Sequence, residues 1–81
     1  MLYTVKISIS LKQGMLDPEA SAIRHALLNL GYETDDLKTA RVYIVRFSAA
    51  DRNNASEKAT KMCERLLANP VIHSYSIEVM E

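Results

Sequence analysis

The stretch Lys12-Gln13-Gly14-Met15-Leu16-Asp17-Pro18-Glu19-Ala20 constrains the fold more than any other, because nearly every residue in it suits a strand-to-helix joint. Before it, Tyr3, Val5, Ile7, Ile9 and Leu11 alternate with Thr4, Lys6, Ser8 and Ser10, the period of a strand with one buried face. Gly14 supplies backbone angles that other residues resist. Asp17 is a good N-cap, Pro18 fits the first helical position, and Glu19 favours the positive end of a helix. The reverse joint, from helix to strand, is Leu67-Ala68-Asn69-Pro70-Val71-Ile72, since the residue before proline is pushed out of helical geometry.

Between the joints the pattern predicts a first helix from about Pro18 to Leu30. Ile23, Ala26, Leu27 and Leu30 form one apolar stripe, and Gly31 stops the helix. Thr34 to Lys38 is a candidate strand, either separate from the next one or continuous with it through Thr39-Ala40. Arg41 to Ser48 is rich in β-branched and aromatic residues and predicts a strand. Asp51 or Asn53 caps a second helix that runs to about Ala68, with Ala55, Ala59, Met62, Cys63, Leu66 and Leu67 as its stripe. Val71, His73, Tyr75, Ile77 and Val79 then alternate as a last strand. The order is βαββαβ. Both helices need an apolar sheet face, and the simplest solution puts them on the same one. The expected fold is α+β: a two-layer, ferredoxin-like sandwich with a mainly antiparallel sheet, as a single domain over residues 1–81.

A chain of 81 residues buries only roughly 60% of its unfolded surface, so it is marginal alone. Cys63 is the only cysteine, so disulfides add nothing, and oligomerisation is the remaining ordinary source of burial. Lys plus Arg and Asp plus Glu balance at ten each, which leaves no long-range field for nucleic acid or anionic lipid. No apolar run approaches a membrane span, and the first residues alternate like a strand rather than a signal peptide. These features predict a cytoplasmic protein. In the third predicted strand Val42 and Ile44 lie on one face, Tyr43, Val45 and Phe47 on the other. Whichever set faces the helices, the other needs cover, and Val42, Tyr43, Ile44 and Val45 are the candidates for self-association.

No catalytic, cofactor or metal site is expected. Cys63 sits in a helical stripe, where a buried, inert thiol is the ordinary outcome. His25 and His73 lie on different elements without metal-site spacing. Capping already accounts for Asp17 and Glu19. No serine lies in Gly-x-Ser-x-Gly, and two glycines build no phosphate loop. RNA-binding domains share the element order, but Lys38 to Val45 has one aromatic and no glycine. Small-ligand regulatory modules of the ACT type share it too. They often carry Gly-x-Leu before the first helix, as Gly14-Met15-Leu16 does here. In them the glycine lies close to the helix start, whereas here Asp17-Pro18 intervenes.

Four pieces resemble the PurS subunits of phosphoribosylformylglycinamidine synthase. They are Lys12, Gly14 and Leu16-Asp17-Pro18-Glu19; Ala22-Ile23, Ala26-Leu27 and Leu30-Gly31-Tyr32; Met62-Cys63 and Leu66 through Ile72; and Tyr75-Ser76-Ile77-Glu78-Val79. Two departures stand out. Ala20 replaces a usual glycine, and Lys38-Thr39-Ala40-Arg41 replaces an Arg-x-Gly-Lys type of link. The resemblance implies a non-catalytic subunit of an ATP- and glutamine-dependent ligase of purine biosynthesis, which converts formylglycinamide ribonucleotide to the amidine. It implies PurL and PurQ as partners and a homodimer or homotetramer. It places ATP and magnesium on PurL and no cofactor on this chain. The two joints are the expected partner contacts: Lys12, Gly14, Asp17 and Pro18 on one, Asn69 and Pro70 on the other. An ACT-like ligand-sensing module is the alternative.

Overall fold

The alternating N-terminal residues form β1 (Leu2–Leu11), the middle strand of a three-stranded antiparallel sheet in the computed structural model, which describes residues 1–80. β2 (Ala40–Ser48) and β3 (His73–Val79) flank it, in the order β2-β1-β3. Val5 pairs with Val45 and Val79, and Ile7 with Tyr43 and Ile77. Directly paired residues point to the same face. One face therefore gathers Tyr3, Val5, Ile7 and Ile9 with Tyr43, Val45, Phe47, Tyr75 and Ile77, and Val5 and Ile7 are fully buried within it. The opposite face carries Lys6, Ser8, Ser74, Ser76 and Glu78, with Val42 and Ile44 exposed among them.

Asp51 rather than Asn53 caps α2 (Arg52–Met62), accepting from the Asn54 N–H at 2.8 Å. Ala55, Ala59 and Cys63 are buried, and their small size brings the helix close over β1 and β3. After Met62 the helix widens into a π-helical turn (Cys63–Leu67), in which the Ala68 N–H reaches the Cys63 carbonyl at 2.9 Å. The extra residue per turn rotates the stripe. Cys63 and Ala68 point inward, and Leu66, expected in the stripe, is 84% exposed.

α1 (Pro18–Asn29) begins and ends as its sequence dictates. Gly31 adopts φ +96°, the Tyr32 N–H reaches the Leu27 carbonyl at 2.9 Å, and the Gly31 N–H reaches that of Leu28 at 3.0 Å. These two bonds make a Schellman stop. The stripe, however, lies bare. Among the described residues α1 makes no substantial contact with any strand or with α2, and only Ala20 in its first turn is buried. The molecule measures 51 × 25 × 16 Å. A ten-residue strand and a twelve-residue helix laid end to end span about 51 Å, so the long dimension has the length of helix and sheet in line. The sequence placed both helices over the sheet, and the cover comes from α2.

Thr34 to Lys38, the remaining strand candidate, is irregular. Its polar groups are committed elsewhere. Arg24 donates through Nε to Thr34 Oγ1 at 3.0 Å and also to the Thr34 carbonyl, and Asp36 Oδ1 accepts from the Leu37 N–H at 2.9 Å. The segment is fastened to α1 instead of to the edge of β2.

Candidate functional site

The two joints meet. Leu11 at the end of β1 pairs with His73 at the start of β3, which brings both connections to one corner of the sheet. There the Lys12 N–H donates to the Ile72 carbonyl at 2.8 Å, and Lys12 Nζ donates to the Pro70 carbonyl at 2.6 Å. Lys12 thus spans from the first joint to the second.

Each joint is braced by its own polar residue. On the first, a turn closes from the Met15 N–H to the Lys12 carbonyl at 3.1 Å, with Gly14 at φ +89°. A Cβ added at Gly14 would meet nothing within 4 Å, so conformation and not space demands the glycine. Asp17 then holds two elements at once. Its Oδ1 accepts from the Ala20 N–H at 3.0 Å and its Oδ2 from the Thr39 hydroxyl at 2.7 Å. The Ala20 N–H, and after it the Thr39 hydroxyl, hold the Asp17 carboxyl below the usual carboxylate range. Pro18 is exposed at the first turn.

On the second joint Asn69 is the hub. Its Oδ1 accepts from the Val71 N–H at 2.9 Å, and its carbonyl accepts from the N–H groups of Ile72 at 3.1 Å and His73 at 2.7 Å. Its own N–H donates to His73 Nδ1 at 2.9 Å, which makes that ring nitrogen an acceptor. Pro70 is exposed beside it.

Sequence reasoning named Lys12, Gly14, Asp17, Pro18, Asn69 and Pro70, and the structure brings all six to this corner. It missed Thr39, which no local pattern ties to Asp17, 22 residues away. It also passed over Leu16, 90% exposed, and Val71, which with the less exposed Met15 are the large apolar side chains the corner offers to solvent. Leu16 follows directly on the turn, and that position was the available signal. The four residues expected to self-associate are divided. Tyr43 and Val45 lie half-buried on the helix side, while Val42 and Ile44, the latter 66% exposed, lie on the open face.

The charged groups of the corner, Lys12 and Asp17, are spent on backbone and hydroxyl partners. Beside it a cleft of about 560 Å³ is lined by Leu11, Glu19, Arg41, Tyr43, Leu67 and His73 among others. Cys63 is buried away from solvent, and burial, with Glu64 adding to it, pushes its thiol above the ordinary value. Among the described residues no three His, Cys, Asp or Glu side chains gather as metal ligands would. No helix among them is long and apolar enough to cross a membrane.

Comparison with known proteins gives one answer. Residues 4–81 match the PurS family, described as phosphoribosylformylglycinamidine (FGAM) synthase. The chain is 41% identical over 81 residues to phosphoribosylformylglycinamidine synthase subunit PurS of Methanothermobacter thermautotrophicus, covering 100% of this chain and 96% of that one. It is similar in structure to PurS of Methanocaldococcus jannaschii, a subunit of formylglycinamide ribonucleotide amidotransferase in the purine biosynthetic pathway, with TM-score 0.88 and 35% identity over 98% of this chain and 96% of the other. It also superposes on a chain of the PurLQS structure from Thermotoga maritima, with TM-score 0.90 and 25% identity over 99% of each.

Proposed function

The chain belongs to the PurS family, a subunit of phosphoribosylformylglycinamidine synthase in purine biosynthesis, and on that premise we propose that it works by assembly alone. It joins a PurL synthetase to a PurQ glutaminase in the cytoplasm, as a homo-oligomer, and contributes no reacting group. ATP and magnesium are handled by PurL. The likeness to a chain of the PurLQS structure is the observation that carries this reading. The side chains agree with it, since the one thiol is buried and the braced corner exposes Leu16 and Val71.

Position is the whole contribution. Ammonia released from glutamine into water becomes ammonium and diffuses away, so the two active sites must be held in productive relation. The corner that unites Lys12, Gly14, Asp17, Pro18, Asn69 and Pro70 is the docking point for one of the larger subunits. Its residues are fixed by hydrogen bonds, so docking orders little further chain.

Reconstitution tests this. PurL and PurQ should convert formylglycinamide ribonucleotide with glutamine only when the chain is added. Leu16→Asp and Val71→Asp should leave the circular dichroism spectrum unchanged and abolish that support. Full glutamine-dependent turnover without the chain would refute the assembly role. Full support by both variants would remove the corner as the docking point.

A further inference from the structure

The cleft beside the braced corner holds two opposite charges that do not meet. Arg41 of β2 pairs with Ile9 and His73 of β3 pairs with Leu11, so both share the face of the buried Ile9, one on each side of β1. Glu19, in the first turn of α1, lines the cleft with them. Among the described residues neither Arg41 nor Glu19 forms an ion pair, and the pair that does form joins Lys38 to Asp36. Arg41 is steadied by Tyr43 alone, whose hydroxyl lies 3.5 Å from Nη1. The other guanidinium donors have no partner among the described residues.

His73 adds a donor of fixed identity. Its Nδ1 accepts from the Asn69 N–H at 2.9 Å, so the neutral ring carries its proton on Nε2. The bond to Asn69 also fixes the ring in place, which makes the Nε2–H a second donor beside Arg41. Leu11, Leu67 and Tyr43, all half-buried, give the cleft its apolar lining. Its volume of about 560 Å³ falls within the range of small-molecule sites, roughly 300–1,000 Å³. An apolar lining with a few convergent polar groups is the composition such sites have.

We infer that this cleft binds a free α-amino acid with an apolar side chain. Arg41 and the Nε2–H of His73 take its carboxylate, Glu19 takes its ammonium, and Leu11, Leu67 and Tyr43 receive its side chain. The pairing of signs does the selecting. Phosphate or any other pure anion meets Glu19, a pure cation meets Arg41, and each leaves one charge opposed. A zwitterion opposes neither and gains charge-assisted hydrogen bonds at both ends. The balanced charge of the whole chain adds no field that favours either sign. The ligand joins β2, β3 and the first turn of α1 through one residue of each. Thr39, whose hydroxyl bonds Asp17, lines the same cleft, so binding fastens the start of α1 to the sheet directly beside the corner.

Titration calorimetry of the full chain with L-leucine, L-methionine and L-phenylalanine tests this. At least one should bind saturably, one molecule per chain, in the millimolar range or tighter. Arg41→Gln and Glu19→Gln change exposed side chains, so circular dichroism should stay unchanged, and each should weaken that binding about ten-fold or more. Analogues of the amino acid that binds assign the two ends. The N-acetyl form, which lacks the ammonium, and the carboxamide, which lacks the carboxylate, should each bind the wild-type chain about ten-fold or more weakly. The N-acetyl form should then lose nothing further in Glu19→Gln, and the carboxamide nothing further in Arg41→Gln. Inorganic phosphate should not displace the amino acid. No saturable binding of any of the three overturns the proposal. So does binding that either variant leaves unchanged, an analogue that binds as well as the free amino acid, or displacement by phosphate.

Discussion

Replacing Ile7 with alanine should remove much of the stability of this chain. Ile7 is fully buried in the middle strand, paired with Tyr43 and Ile77, and it belongs to the same cluster as Ala55, Ala59 and Cys63. Isoleucine-to-alanine changes in cores cost about 2–5 kcal/mol, and the cost rises when the walls of the cavity cannot collapse. Here the walls are a paired strand on each side and a helix brought close by alanines, so the upper half of that range, about 3–5 kcal/mol, is expected. A chain of this length has about 4–12 kcal/mol in total. Urea unfolding followed by circular dichroism at one fixed chain concentration measures the loss. With a slope near 1 kcal/mol per molar, the midpoint should fall by about 3 M or more, or the variant should be unfolded in buffer. The matched control is Ile44→Ala, on the open face, which should stay within about 0.5 kcal/mol in the unassociated chain. A loss below about 1 kcal/mol for Ile7→Ala with an unchanged slope would refute the packing described for the sheet and α2.

Gly14→Ala should cost about 1–2 kcal/mol, because φ is +89° there, and Gly14→Asn should cost less; equal stability for all three would refute the strained turn. Asp17 sets an acid dependence. Its folded carboxyl titrates below its unfolded one, so its contribution is complete above the unfolded value and is lost as pH falls through the folded value. Unfolding midpoints across the acid range should therefore separate wild type from Asp17→Asn at neutral pH and converge at low pH. Separation that grows on acidification would contradict the two hydrogen bonds. Cys63 should resist a thiol reagent in the native chain up to mildly alkaline pH and react at once in urea, since burial both shields it and raises its titration. Native-state labelling at the rate of a free thiol would refute its placement.

The sheet was legible because its signals are local and redundant. Residues 3–11 alternate without interruption, and register follows once Val5 and Ile7 must be inside. The caps were legible for the same reason: Asp17, Pro18, Gly31 and Asn69 act on neighbours within a few positions. Three features were not legible, and each depends on distant partners. Thr34–Lys38 loses its strand because Arg24 and Asp36 take its hydrogen bonds. Leu66 leaves the stripe because one π-helical turn shifts the phase, and helical spacing alone carries no sign of it. The bare stripe of α1 reads in sequence like any helix that covers its own sheet, because periodicity says that a face will be buried and not in which chain. The corner was half legible. Its bracing residues could be named, but the Lys12–Pro70 bond that unites the joints follows from strand pairing between residues some 60 positions apart.

The bare helix also changes what stability means for this chain. An isolated copy holds its core under one helix, and the stripe of the other adds little while it faces water. Anything that covers the stripe binds the folded chain and not the unfolded one, so it stabilises by mass action. A partner at 100 times its dissociation constant adds about 2.7 kcal/mol, roughly a fifth or more of the total expected at this length. The midpoint of thermal unfolding should therefore rise with chain concentration, by about 4–8 °C for each kcal/mol gained. Leu30→Glu should abolish that rise while leaving the midpoint of the dilute chain in place, because the residue it changes touches little in the single copy. A midpoint independent of concentration in the wild-type chain would mean that the stripe stays wet, and that the helix is held by its caps alone.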